Sequence, residues 1–190
     1  MIDFTERTPS ADRLCKQVVD SIEESAAGTE DQLAEALGEL LVLRSLCGSD
    51  YGLQRARLHA FKRRVAEGLQ NGNNPRNLDN YIEDAASFAA EGRYDGFAHA
   101  ALARSALQIL LEDFAEWNLI DEERRADLAG IDEDLQDTAE DAPPVDAKYV
   151  PPNLPPTHWW WSAPKRTDMS DEERRLRLSG RDLYMFETYG

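Results

Sequence analysis

The stretch DGFAHAALARSALQILLEDFAEW, residues 95–117, decides the fold. Phe97, Ala100, Ala101, Ala103, Leu107, Leu110, Leu111, Phe114 and Trp117 recur at helical spacing and cover a wide face, which predicts a central helix from Asp95 to about Trp117. Alanines at 98, 100, 101, 103 and 106 leave little side chain at the contact surface, so neighbouring helices can approach closely.

Working outward toward the N-terminus, four further segments carry the same period. Thr8-Pro9 reads as an N-cap and first helical position. Leu14, Cys15, Val18, Val19, Ile22 and Ala26 then repeat as far as Gly28. Thr29 and Gln32 have capping-box spacing, followed by Leu33, Ala36, Leu37, Leu40 and Leu41 up to Cys47-Gly48. The short connection at Gly28 predicts an antiparallel hairpin of the first two helices. A third helix is expected from Asp50, with Leu53, Leu58, Phe61, Val65 and Leu69. A turn over Asn71-Gly72-Asn73-Asn74-Pro75 follows, then a fourth helix from Asn77 with Leu78, Tyr81, Ile82, Ala85, Ala86 and Ala89.

Toward the C-terminus, Asp121 caps a sixth helix with a narrow apolar stripe of Leu128, Ile131 and Leu135. No run alternates as a half-buried strand does, so the expected class is all-α. The expected architecture is a bundle of about six helices over residues 9–140, preceded by a lead at 1–8. An extended Pro/Trp-rich arm at 141–168 and a short charged helix with an aromatic end at 169–190 complete it.

The arm stands apart in composition. Seven of nine prolines fall at 143, 144, 151, 152, 155, 156 and 164, and proline removes backbone donors and fixes φ. Ala142 to Pro164 is therefore expected to run extended, with polyproline II character. An extended chain would point Trp159 and Trp161 one way and Trp160 the other. Beyond it, Ser170 and Glu173 have capping-box spacing for a helix over about 171–179, ended by Gly180. The string Asp-Glu-Glu-Arg-Arg occurs at 121–125 and again at 171–175, a pattern that helix electrostatics accounts for.

The chain has 190 residues, near the size of one domain, and carries a net charge of -16 from 37 acidic and 21 basic side chains. Such a surface repels phosphate backbones and disfavours direct nucleic-acid binding. The N-terminus lacks the charged and apolar regions of a signal peptide, and no stretch approaches a membrane span. Two cysteines, Cys15 and Cys47, sit inside helical patterns as small hydrophobes. These features point to a reducing, cytoplasmic setting or a particle assembled there.

No chemistry-bearing motif stands out. His59, His99 and His158 have no metal-ligand spacing, and Asp132-Glu133-Asp134 with Asp137 lacks the glycine of a calcium loop. There is no phosphate loop or nucleophile elbow. No catalytic residue, metal or cofactor is therefore expected. A basic island of Arg55, Arg57, Lys62, Arg63 and Arg64 on the third helix is a candidate anion or acidic-partner patch; pairing with acidic helices such as the sixth is its structural reading.

The arm is the most informative feature, because adjacent tryptophans are costly to leave in water. Trp159, Trp160, Trp161, Leu154, Tyr184 and Phe186 are the candidate partner-binding residues. The expected function is a non-catalytic accessory or structural subunit that attaches to a protein partner or sister subunit through residues 141–190. Folding of the strap back onto its own bundle is the competing arrangement. Alternative functions are an acidic inhibitor (immunity protein, antitoxin or DNA mimic) covering a basic partner, and a helical enzyme drawing on residues such as His99, Tyr94 or Arg104.

Overall fold

The computed structural model describes residues 10–92, 97–145 and 147–166. Among them the chain forms six α-helices and no strand: α1 Ala11–Ser25, α2 Glu30–Cys47, α3 Arg55–Leu69, α4 Asn74–Ala90, α5 Phe97–Asp113 and α6 Glu122–Ala139. Short 3₁₀ turns occur at Ala115–Trp117, Ala147–Tyr149 and Trp159–Ser162. The all-α class is as the periodicity predicts. Thr8-Pro9, Tyr94, Asp95, the 171–175 repeat, the expected terminal helix, Tyr184 and Phe186 lie outside the described residues.

The helices meet as their stripes require. α1 packs on α2 and α3; α4 packs on α5 and α6; α2 also meets α4 and α5. α4 also meets α3, and α5 meets α6; α5 is the most buried helix, with eleven of its 17 residues inside. The core runs continuously from Val18, Val19 and Ile22 through Leu37, Leu40 and Leu41 to Leu107, Leu110 and Ile131.

Four helix boundaries differ from the sequence expectation. α1 begins at Ala11 rather than Pro9, because Ser10 takes the extended conformation of an N-cap (ψ 145°). The other three are set by local turns. α3 begins at Arg55 rather than Asp50. Residues 50–52 form a turn in which Asp50 Oδ1 accepts from the Gly52 amide at 2.9 Å, and Tyr51 and Gly52 take φ of 54° and 67°. Tyr51 is fully buried, so burial and its hydroxyl contact offset a left-handed conformation costing about 1–2 kcal/mol. α5 stops at Asp113, and left-handed Asn118, φ 49°, closes the 3₁₀ turn that carries Trp117.

α4 begins earlier than Asn77, at Asn74, because Pro75 suits a first turn whose amides need no intrahelical partner. Asn74 is wholly buried. Its Nδ2 donates to the carbonyls of Ile22 and Gly68, both at 3.0 Å, and its Oδ1 accepts from Ser25 Oγ at 3.0 Å. One side chain thereby ties the ends of α1 and α3 to the start of α4. Next to it the Asn73 amide donates to Ala26 O at 2.8 Å. A Cβ on Gly72, whose φ is +57°, would meet that same oxygen at 2.1 Å.

The caps at α2 and α6 follow the sequence reading. The Thr29 amide donates to Gln32 Oε1 at 2.9 Å, and Asp121 Oδ1 accepts from the Arg124 amide at 3.0 Å.

Candidate functional site

Of the described arm residues, 141–145 and 147–166, the latter lie back over the bundle as a strap. The expected extended run through Pro164 is interrupted, because residues 157–163 contain no proline and their amides are free to close turns. The His158 amide donates to Pro155 O at 3.0 Å, and the Ala163 amide to Trp160 O at 3.2 Å. Trp159, Trp160 and Trp161 therefore sit on one 3₁₀ turn, and the alternation of an extended strand does not apply to them.

This turn sorts the three indoles by burial. Trp160 is 1% exposed and joins the core, while Trp159 and Trp161 are half-buried against it. The seat is a row of polar groups on α5. Trp160 Nε1 and Trp161 Nε1 both donate to Ser105 Oγ, each at 2.9 Å. The Arg104 guanidinium lies 4.8 Å from the Trp160 ring centroid, a cation–π contact strengthened by desolvation. Arg104 is itself fixed by a bidentate pair with Asp132 of α6, at 2.8 and 3.0 Å, and by Gln108 Oε1 at 2.8 Å.

Further ties secure the strap along its length. Asn153 Nδ2 donates to Ser45 O of α2 at 3.1 Å. The Lys165 and Arg166 amides donate to Ala139 O and Ala142 O at 3.0 and 3.2 Å, and Lys165 pairs with Glu140. Leu154 is half-buried on the core cluster. Tyr149 and Pro151 are buried.

A second buried polar node lies at the end of α5. Asp113 accepts from Arg44 Nε at 2.8 Å and Tyr51 Oη at 2.7 Å, with Lys62 Nζ at 3.9 Å. A carboxylate at a helix C-terminus opposes the macrodipole, and these cations compensate it. Burial, then the Asp113 charge, pushes the Tyr51 hydroxyl well above its usual range. Tyr51 is consequently a hydrogen-bond donor at neutral pH.

The basic island of α3 is largely internally paired. Arg57 meets Asp12 at 2.9 Å, Arg64 meets Glu23 at 2.6 Å, Arg63 meets Glu67 at 3.7 Å, and Lys62 points inward to Asp113. Pairing is thus with α1, α5 and α3 itself rather than with α6. Arg55 is exposed, with no ion-pair partner among the described residues.

Among the described residues no group of His, Cys, Asp and Glu is placed to hold a metal ion. Burial and the neighbouring Cys47 push the Cys15 thiol up to about 11, and burial and Asp50 raise Cys47, so neither is a thiolate nucleophile at neutral pH. His99 stacks near Phe88, ring centroids 5.4 Å apart. The recess beside Leu110, Leu111, Ala115, Leu119 and Ile120 admits no water-sized molecule. No described helix is long and apolar enough to cross a membrane.

No protein-family model, curated protein or solved structure matches the chain. The site therefore stands on its own chemistry. Arg104, Ser105 and Gln108 as the seat of the tryptophans are new at the structural level. Their signal was present as three polar residues inside the most apolar helix of the sequence.

Proposed function

We propose that the chain is a non-catalytic accessory or structural subunit that attaches to a protein partner or sister subunit through its C-terminal segment. The observation that supports this reading is the division of labour within the tryptophan turn. Trp160 anchors the strap, and Trp159 and Trp161, with Leu154, keep part of their surface in solvent on a rigid base. Aromatic side chains held in place lose little entropy on docking and dominate interface energetics.

The test uses the full chain and a W159A/W161A variant that retains Trp160. Sedimentation would measure self-association, and native capture would measure partner retention. The reading expects wild type to hold a partner or copy that the variant loses, while both melt within a few degrees of each other. Equal retention by both proteins would contradict it.

The acidic-inhibitor reading is favoured by a different observation. Glu122, Glu123, Asp127, Glu133 and Asp137 of α6 and its C-cap Glu140 are all exposed. A partner held by that face would bind with steep salt dependence and without sensitivity to the tryptophan substitutions.

A further inference from the structure

We propose that the strap is a pH-sensitive latch, with His158 the group whose protonation releases residues 147–166 from the bundle. His158 is 4% exposed, and among the described residues neither of its ring nitrogens has a hydrogen-bond partner. Its ring lies 5.2 Å from that of Trp160, the residue that anchors the strap. A neutral imidazole tolerates this apolar, aromatic neighbour. An imidazolium would bring a charge and two unsatisfied N–H donors into the same place.

The charged groups around it are already engaged. From α2 comes Arg44, paired with Asp113 of α5. From α5 also come Arg104, held by Asp132 of α6, and Glu112, which accepts from Gln108 Nε2 at 2.7 Å. Elsewhere on the strap, Lys165 pairs with Glu140, the C-cap of α6. Burial is the largest influence and lowers the His158 pKa; Glu112 raises it, Arg104 and Arg44 lower it, and Asp113 raises it, leaving it at about 4.

The docked strap thus holds a group with a depressed cationic pKa, and a released strap holds an ordinary histidine near 6.5. Docking is fully favoured above the released value. It weakens as pH falls from about 6.5 toward about 4 and loses nothing further from this group below that. At about pH 5 the docking equilibrium is expected to fall about 30-fold relative to neutral pH. This property belongs to the chain alone and stands whether or not the strap is the surface a partner meets.

Residue-resolved amide hydrogen exchange on the full chain tests it. The Lys165 and Arg166 amides bond to carbonyls at the end of α6 and report docking directly, while amides inside α2 report global opening. The latch predicts that protection factors at 165 and 166, corrected for intrinsic exchange, fall about 30-fold between about pH 7.5 and about pH 5. The α2 amides, whose global opening frees His158 as well, should lose no more than the same factor and stay better protected than 165 and 166 throughout. His158→Gln and His158→Phe remove the titrating group and should abolish the fall. An equal fall in both variants, or none in wild type, would overturn the proposal. An NMR titration of the wild-type His158 ring settles the case where neither variant docks: a midpoint near 4 supports the latch, and one near 6.5 overturns it.

Discussion

Replacing Trp160 with alanine separates a strap that belongs to the core of its own chain from one ordered only against another body. Trp160 is 1% exposed, its indole N–H donates to Ser105 Oγ, and its ring receives the Arg104 guanidinium at 4.8 Å. Truncation of a buried Trp to Ala costs about 3–5 kcal/mol. The lost cation–π contact contributes about 0.5–2 kcal/mol to that loss. Ser105 keeps Trp161 as a donor, so the hydroxyl itself is not orphaned. For a chain of this size the change corresponds to a drop in Tm of roughly 6–20 °C. Urea denaturation of the isolated chain, followed by far-UV circular dichroism, measures it. A W160A variant within about 1 kcal/mol of wild type would refute the reasoning, because only a side chain outside the core is removed at so little cost.

Other substitutions probe the supports of the fold. Asn74→Ala leaves the Ile22 and Gly68 carbonyls without the Asn74 donor in a buried site and should cost about 2–4 kcal/mol by chemical denaturation. Gly72→Ala and Gly130→Ala should have opposite signs. The first places a Cβ against Ala26 O at 2.1 Å, and the second meets nothing within 4 Å on an exposed helix face. Thermal melts should show Gly130→Ala more stable by about 0.5–1 kcal/mol and Gly72→Ala markedly less stable. Asp113→Ala strands the buried Arg44 guanidinium, its side chain 10% exposed, and should destabilise by about 3–5 kcal/mol in urea titrations.

The helical class and all six helices were legible because apolar residues recur at helical spacing in each, a one-dimensional signal, even in α5, where burial extends all round over residues 103–110. The Thr29–Gln32 and Asp121 caps were legible for the same reason, since their partners lie three residues away. What escaped the reading depends on partners distant in the chain. Asn74 looks like a turn residue until Ile22 and Gly68 come to meet it. Tyr51 looks like part of a helix until Asp113, 62 positions away, claims its hydroxyl. The strap showed the same division. Its proline content was visible, but the 3₁₀ turn at 159–162 and the Ser105 hydroxyl that receives two indoles depend on contacts 55 and 56 positions apart.

The Arg-rich face of α3 makes the complementary point. Five basic residues in one helix read as a patch, yet Arg57, Arg64 and Lys62 find their carboxylate partners Asp12, Glu23 and Asp113 on α1 and α5, and only Arg63 pairs within α3, with Glu67. Charge patterning along a sequence therefore described composition here, whereas neutralisation was decided by which helices became neighbours.

The most direct test of the strap's attachment to its own bundle is an isotope-filtered NOE experiment on the full chain. Uniformly labelled protein is compared with an equimolar mixture of labelled and unlabelled chains, reading the contact between the Trp160 indole proton and Ser105. The account predicts a strong cross-peak in the uniformly labelled sample and none in the filtered spectrum of the mixture. A cross-peak in the filtered spectrum would place Trp160 on a neighbouring subunit and contradict the account.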